Sequence, residues 1–101
     1  MNDYPEAAVN AAKKALKFKE DNNIDCGTFV GWARANQIAK RENLSMTTIK
    51  RTYSFLSRAK TYDRGRYTDE DGKPICGSIM YDAWGGDAML RWTKRILNEN
   101  D

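Results

Sequence analysis

The residue types that carry most enzyme and metal chemistry are nearly missing from this chain: it has no histidine, and its only cysteines are Cys26 and Cys76. Without histidine the usual general base is gone, so a cysteine or serine nucleophile would need activation by lysine or by burial alone. A structural zinc takes about four ligands, normally Cys or His, which two cysteines cannot supply. The sequence therefore reads as non-enzymatic, with no catalytic residue, no metal, no cofactor and no small-molecule substrate. Two cysteines are also too few for a disulfide framework, and the expectation is that a reducing compartment keeps both as buried thiols.

What the sequence does offer is an uneven distribution of charge. Between Thr28 and Thr61 stand seven basic residues against the single Glu42, a net of +6, although the whole chain nets only +3. Acidic residues would ordinarily be interleaved on such helices for i,i+4 pairing. Their absence predicts a basic patch of Arg34, Lys40, Arg41, Lys50, Arg51 and Arg58 that meets something acidic, either a protein face or nucleic acid. Inside the same window, Ala39, Asn43, Leu44, Ser45 and Ile49 fill the small-residue, turn, apolar, cap and anchor positions of a helix-turn-helix. Thr47, Lys50 and Arg51 would then face a DNA groove. Glu42 and Thr52 depart from that pattern, because both stand where such motifs bury apolar side chains.

The elements that must position these residues are helices. Pro5 suits a first helical turn, and Ala8, Val9, Ala12 and Leu16 recur at helical spacing to about Lys19. Cys26-Gly27 turns the chain and hands Thr28 to the N-cap of a second helix, expected to reach Glu42, with Phe29, Val30, Ala33, Ile38 and Ala39 inward and Arg34, Lys40 and Arg41 in solvent. Ser45 caps a third helix over Met46–Lys60 that buries Ile49, Tyr53 and Leu56. Residues 61–75 read as one long charged loop, then a short helix runs over Ser78–Trp84. Gly85-Gly86 breaks it, and Asp87 caps a last helix over Ala88–Leu97 with Met89, Trp92 and Ile96 inside. Trp32, Trp84 and Trp92 are expected to share one core with Leu56 and Ile96. The Cys-Gly-hydroxyl order recurs at Cys26-Gly27-Thr28 and Cys76-Gly77-Ser78, as two similar helix starts would produce. The fold class is all-α: one helical domain over residues 1–101, a compact bundle of about five helices with a helix-turn-helix-like unit over residues 29–60.

Several of these stretches together also resemble a known module. Trp32-Ala33-Arg34-Ala35-Asn36-Gln37-Ile38-Ala39, Leu44-Ser45, Thr48-Ile49-Lys50-Arg51, Ser54-Phe55-Leu56-Ser57-Arg58 and Ala83-Trp84-Gly85-Gly86-Asp87-Ala88 with Trp92 resemble a small module of tailed-phage and prophage proteins. In that family it stands alone or is fused to head maturation proteases and other head morphogenesis proteins. The likeness covers about Cys26 to Ile96; this chain has Ala59 where relatives often carry histidine, and a shorter, more acidic loop. The resemblance implies a bacteriophage auxiliary capsid or head-associated protein whose partners are capsid or other virion proteins. It implies no peptidase activity, since the module lies outside the protease part. Trp84, Gly85, Gly86 and Asp87 have a structural reading that suffices: a buried indole, a break allowing close helix approach, and a cap. No apolar run is long enough to span a membrane, and the N-terminus lacks the order of a signal peptide, so the expected location is the virion, reached from the host cytoplasm. The alternative expectation is a helix-turn-helix DNA-binding protein, regulatory or associated with the genome.

Overall fold

Small residues decide how the first helix packs. Ala8, Val9, Ala12 and Ala15 fall on one face of α1 (Glu6–Asn22) and are buried, and a stripe of short side chains lets neighbouring backbones come close. The computed structural model describes residues 1–60 and 65–100, and among them every regular element is helical, as expected for an all-α bundle. After α1 come α2 (Phe29–Ala39), α3 (Met46–Ala59), α4 (Cys76–Ala83) and α5 (Gly86–Glu99). Helix α1 packs on α2, α4 and α5, while α3 lies mainly on α5. The buried core runs between them through Ile38, Ile49, Leu56, Ile79, Met89, Trp92 and Ile96.

Two caps form as the sequence predicts. The Thr28 hydroxyl accepts from Gly31 N at 3.0 Å, and the Ser45 hydroxyl from Thr48 N at 3.1 Å. Helix α2 ends three residues early, at Ala39, and Arg41 adopts a positive φ of 53°. The turn that follows is held by the N-terminal segment. Met1 and Leu44 exchange two backbone hydrogen bonds, and the Tyr4 hydroxyl donates to Glu42 O at 2.7 Å. The Tyr4 ring meets Trp92 edge-on at 5.4 Å.

The face of α2 is turned relative to expectation. Its buried stripe is Gly31, Ala35 and Ile38, whereas Phe29 is 89% exposed and Val30 50%. Gly31 presents bare backbone to that side: a Cβ there would sit 2.4 Å from the tip of the flexible Met80 side chain and 3.2 Å from Trp84 Nε1, so a larger residue would require Met80 to move. Trp32 is half-buried at the rim of the core, its indole N–H donating to Cys26 O at 2.7 Å. Tyr53 is likewise half-buried, and Thr52 is fully buried with its hydroxyl donating to Thr48 O at 2.8 Å.

The helix-turn-helix reading is met in order but not in packing. A helix, a capped turn and a helix follow one another, yet no Cα of α2 lies within 8 Å of a Cα of α3. The two helices pack on α1 and α5 respectively, so the crossing at Ala39 that the motif requires is not made.

The cysteines are not thiols. Cys26 and Cys76 form a disulfide with their Cα atoms 5.4 Å apart, tying the start of α2 to the first residue of α4 across 50 positions of sequence. Sequence count alone argued against it; the fold brings the turn at Cys26 to the first residue of α4. The likeness of those turns does not extend to capping, because α4 begins at Cys76 and Ser78 is buried inside its first turn.

The long loop also has structure. Residues 61–64 of that prediction lie outside the described residues, but 67–75 form a small hairpin: Thr68 and Pro74 pair, and Ile75 N donates to Tyr67 O at 2.7 Å. The Asp69 carboxylate caps its tip, accepting from Asp71 N and Lys73 N at 2.9 Å each. The hairpin is anchored by Tyr67, which stands edge-on to Phe18 and donates to the Asp82 carboxylate. Burial and that carboxylate hold the Tyr67 phenol protonated far above its ordinary range.

Closing about 50 residues by a disulfide contributes about 4 kcal/mol in the chain-entropy model. Reduction should therefore lower the midpoint of denaturant unfolding by a large fraction of this small protein's stability. An unchanged midpoint in reductant, with two thiols titratable in the native protein, would contradict the bond.

Candidate functional site

Helix α3 contains no acidic residue, and its outward face gathers the charge that the sequence singled out. Lys50, Arg51, Ser54, Phe55 and Arg58 line a shallow groove of about 360 Å³ whose far wall is Trp84. The spacing of Arg51, Phe55 and Arg58 places them on successive turns of one helical side. Phe55 is stacked on Trp84, ring centres 4.7 Å apart and planes 17° from parallel, so the floor is aromatic and the rim cationic.

Arg34 approaches the groove's Trp84 wall from α2 without lining the groove itself. It is half-buried, not in solvent as expected, with its guanidinium over the Trp84 ring at 5.6 Å. One of its terminal nitrogens donates to Gln37 Oε1, and its buried Nε has no hydrogen-bond partner. Burial and the neighbouring charge of Arg51 both lower the Arg34 pKa. Among the described residues no carboxylate pairs with Arg34, Arg51 or Lys50.

The predicted basic patch therefore divides. Lys50, Arg51 and Arg58 line the groove, and Arg34 lies over the ring of Trp84, its wall. Arg41 does neither: it bonds Glu6 Oε2 at 2.7 Å and the carbonyl oxygens of Asn2 and Tyr4, and so fastens the N-terminal segment. Lys40 is the exposed C-cap of α2, away from the groove-lining side chains. Thr47, Lys50 and Arg51 are all exposed on the first turns of α3, as a groove reader would need, but without α2 packed behind them.

Other cations were missed. Lys50 also borders a hollow with Met46, Leu97, Asn98 and Asn100, and beyond Asn98 the outer face of α5 carries Arg91, Lys94 and Arg95. In sequence these are averaged against acidic residues elsewhere; a helical wheel of α5 would have set them on one side. Arg95 is paired with Glu99 at 3.2 Å.

Trp84, Gly85, Gly86 and Asp87 form the corner between α4 and α5. Gly85 has φ +108° and Gly86 φ +68°, and a Cβ on Gly85 would lie 2.5 Å from Met89 Cβ. Gly85, not Asp87, is the N-cap of α5; Asp87 sits in the first turn and accepts from the Tyr81 hydroxyl. Trp84 is 7% exposed, so it is a core residue with little surface left to the groove.

No protein-family model, curated protein or solved structure matches the chain.

Truncating a buried aromatic costs about 3 to 5 kcal/mol, comparable to the whole stability of many domains of this size. Trp84→Ala should leave the protein largely unfolded, as thermal or denaturant unfolding followed by circular dichroism would read. A cooperative transition near that of the wild type would place the indole outside the core.

Proposed function

We propose that this protein is a non-enzymatic structural protein of a tailed bacteriophage, an auxiliary capsid or head-associated subunit that docks on other virion proteins. The observation that carries the reading is the α3 groove. A cationic rim around a small apolar floor is the composition of a protein-docking surface, in which a few anchors give specificity and the charges steer the approach. Its wall is Trp84, the first residue of the Trp-Gly-Gly-Asp stretch on which the resemblance to phage head modules rests.

Two further features favour this over a DNA-binding regulator. The separation of α2 from α3 removes the rigid pair that inserts a recognition helix into the major groove. The Cys26–Cys76 disulfide suits a protein that leaves the reducing cytoplasm within a particle, since such bonds are rare in proteins that work in the cytosol. No helix among the described residues is long and apolar enough to cross a membrane.

The chain should be recovered by mass spectrometry from intact particles of the phage that encodes it, after nuclease treatment and washing. Its binding to free duplex DNA should be weak, steeply salt-dependent and indifferent to sequence. Absence from purified particles, together with a footprint at one defined operator, would reverse the assignment in favour of regulation.

A further inference from the structure

The state of Arg34 asks for a ligand. A half-buried guanidinium has lost part of its hydration, and such charges are ordinarily paired. Here the neighbouring charge is another cation, Arg51, and among the described residues neither arginine meets a carboxylate. Arg34 is nevertheless held in place, by Gln37 on one side and the Trp84 ring on the other. A held guanidinium over Trp84 and an exposed one on the rim of the same Trp84-walled groove offer the forked donors that suit the planar, two-oxygen geometry of a carboxylate.

We propose that Arg34 and Arg51 form a carboxylate-binding site for an acidic segment of a partner polypeptide, with Phe55 receiving an apolar side chain next to the acid. The proposal rests on the docking function above and names the chemistry of what docks.

The groove itself favours a polypeptide over nucleic acid. Its floor is the Phe55 ring, stacked on Trp84. An acidic peptide can place an aliphatic or aromatic side chain there, whereas a phosphate backbone has no apolar group to offer. Trp84, 7% exposed, offers little indole surface on which a base could stack. Lys50 at the rim, with Arg91 and Lys94 beyond, supplies a field that draws an acidic segment in without fixing its register.

Burial also makes Arg34 its own reporter, because a guanidinium Nε–H shielded from solvent exchanges slowly enough to be followed by ¹⁵N NMR. The probes are a blocked acetyl-Leu-Glu-Phe-Asp-Leu-amide peptide, the same peptide with Gln and Asn in place of Glu and Asp, and a mixed-sequence DNA duplex. The acidic peptide should shift the Arg34 Nε–H and Phe55 ring signals saturably, and the amide peptide should not. Arg51→Gln, at an exposed position, should keep the wild-type spectrum of the core and weaken the acidic peptide by about tenfold or more. Arg34→Lys should weaken it similarly although the charge is retained.

Equal shifts from both peptides would overturn the site as mere apolar adhesion. Shifts from the duplex alone would overturn it in favour of nucleic acid, and unmoved Arg34 and Phe55 signals would overturn it outright. The parent reading fails separately. A chain found in particles whose Arg34 stays unmoved loses only this site. One that binds the acidic peptide but is missing from particles supports the site and loses the head assignment.

Discussion

The corner at Gly85 and Gly86 is the constraint on which the rest of this structure depends. The chain must leave α4 and enter α5 across Trp84 and Gly85, and Gly85 and Gly86 both adopt the positive φ that favours glycine. There is no room for a side chain at the first, where Met89 packs directly against the backbone, and little at the second, where Asp82 and Ala11 are close. That tight turn seats Trp84 against Phe55 of α3 and under Arg34 of α2. One residue of the corner thereby joins three helices and forms the wall of the groove. The core and the candidate site share a part, so the site's geometry is as firm as the fold.

The same packing sorts the cations. Charge counted along the sequence treats Arg34, Arg41 and Arg51 alike, but folding gives each a different task. Arg41 holds the N-terminal segment through Glu6 and two carbonyls. Arg34 is drawn half inside by its contact with Trp84. Arg51 stays exposed on the groove rim. Helix α5 then adds Arg91 and Lys94, which no linear window would have joined to α3.

Elements with a strong local signature were legible in the sequence. Thr28 and Ser45 cap where a hydroxyl precedes an apolar run, α3 carries a sustained amphipathic pattern, and among the described residues five helices form as predicted. What escaped the sequence depended on tertiary contact. The apolar pair Phe29 and Val30 looked like a core face, yet Gly31, Ala35 and Ile38 form the buried side of α2, with Gly31 close against Met80. Cys26 and Cys76, 50 residues apart, gave no local sign that they would meet. The hairpin over 67–75 depends on Tyr67 reaching Phe18 and Asp82, and charge density alone read it as plain loop. Of the candidate site, Lys50, Arg51 and Arg58 were readable as a helical stripe, while the role of Phe55 and the burial of Arg34 required the fold.

The most direct test of the corner is the equilibrium stability of Gly85→Ala compared with Gly72→Ala. Both glycines have positive φ, +108° and +79°, so both substitutions strain the backbone. Only Gly85 is crowded; a Cβ on Gly72 would meet nothing within 4 Å. If the corner is the governing constraint, Gly72→Ala should cost about 1 to 2 kcal/mol, the ordinary penalty of left-handed backbone, and Gly85→Ala several times as much. Equal and modest losses at the two positions would show that the corner relaxes around a side chain and does not hold Trp84 in place.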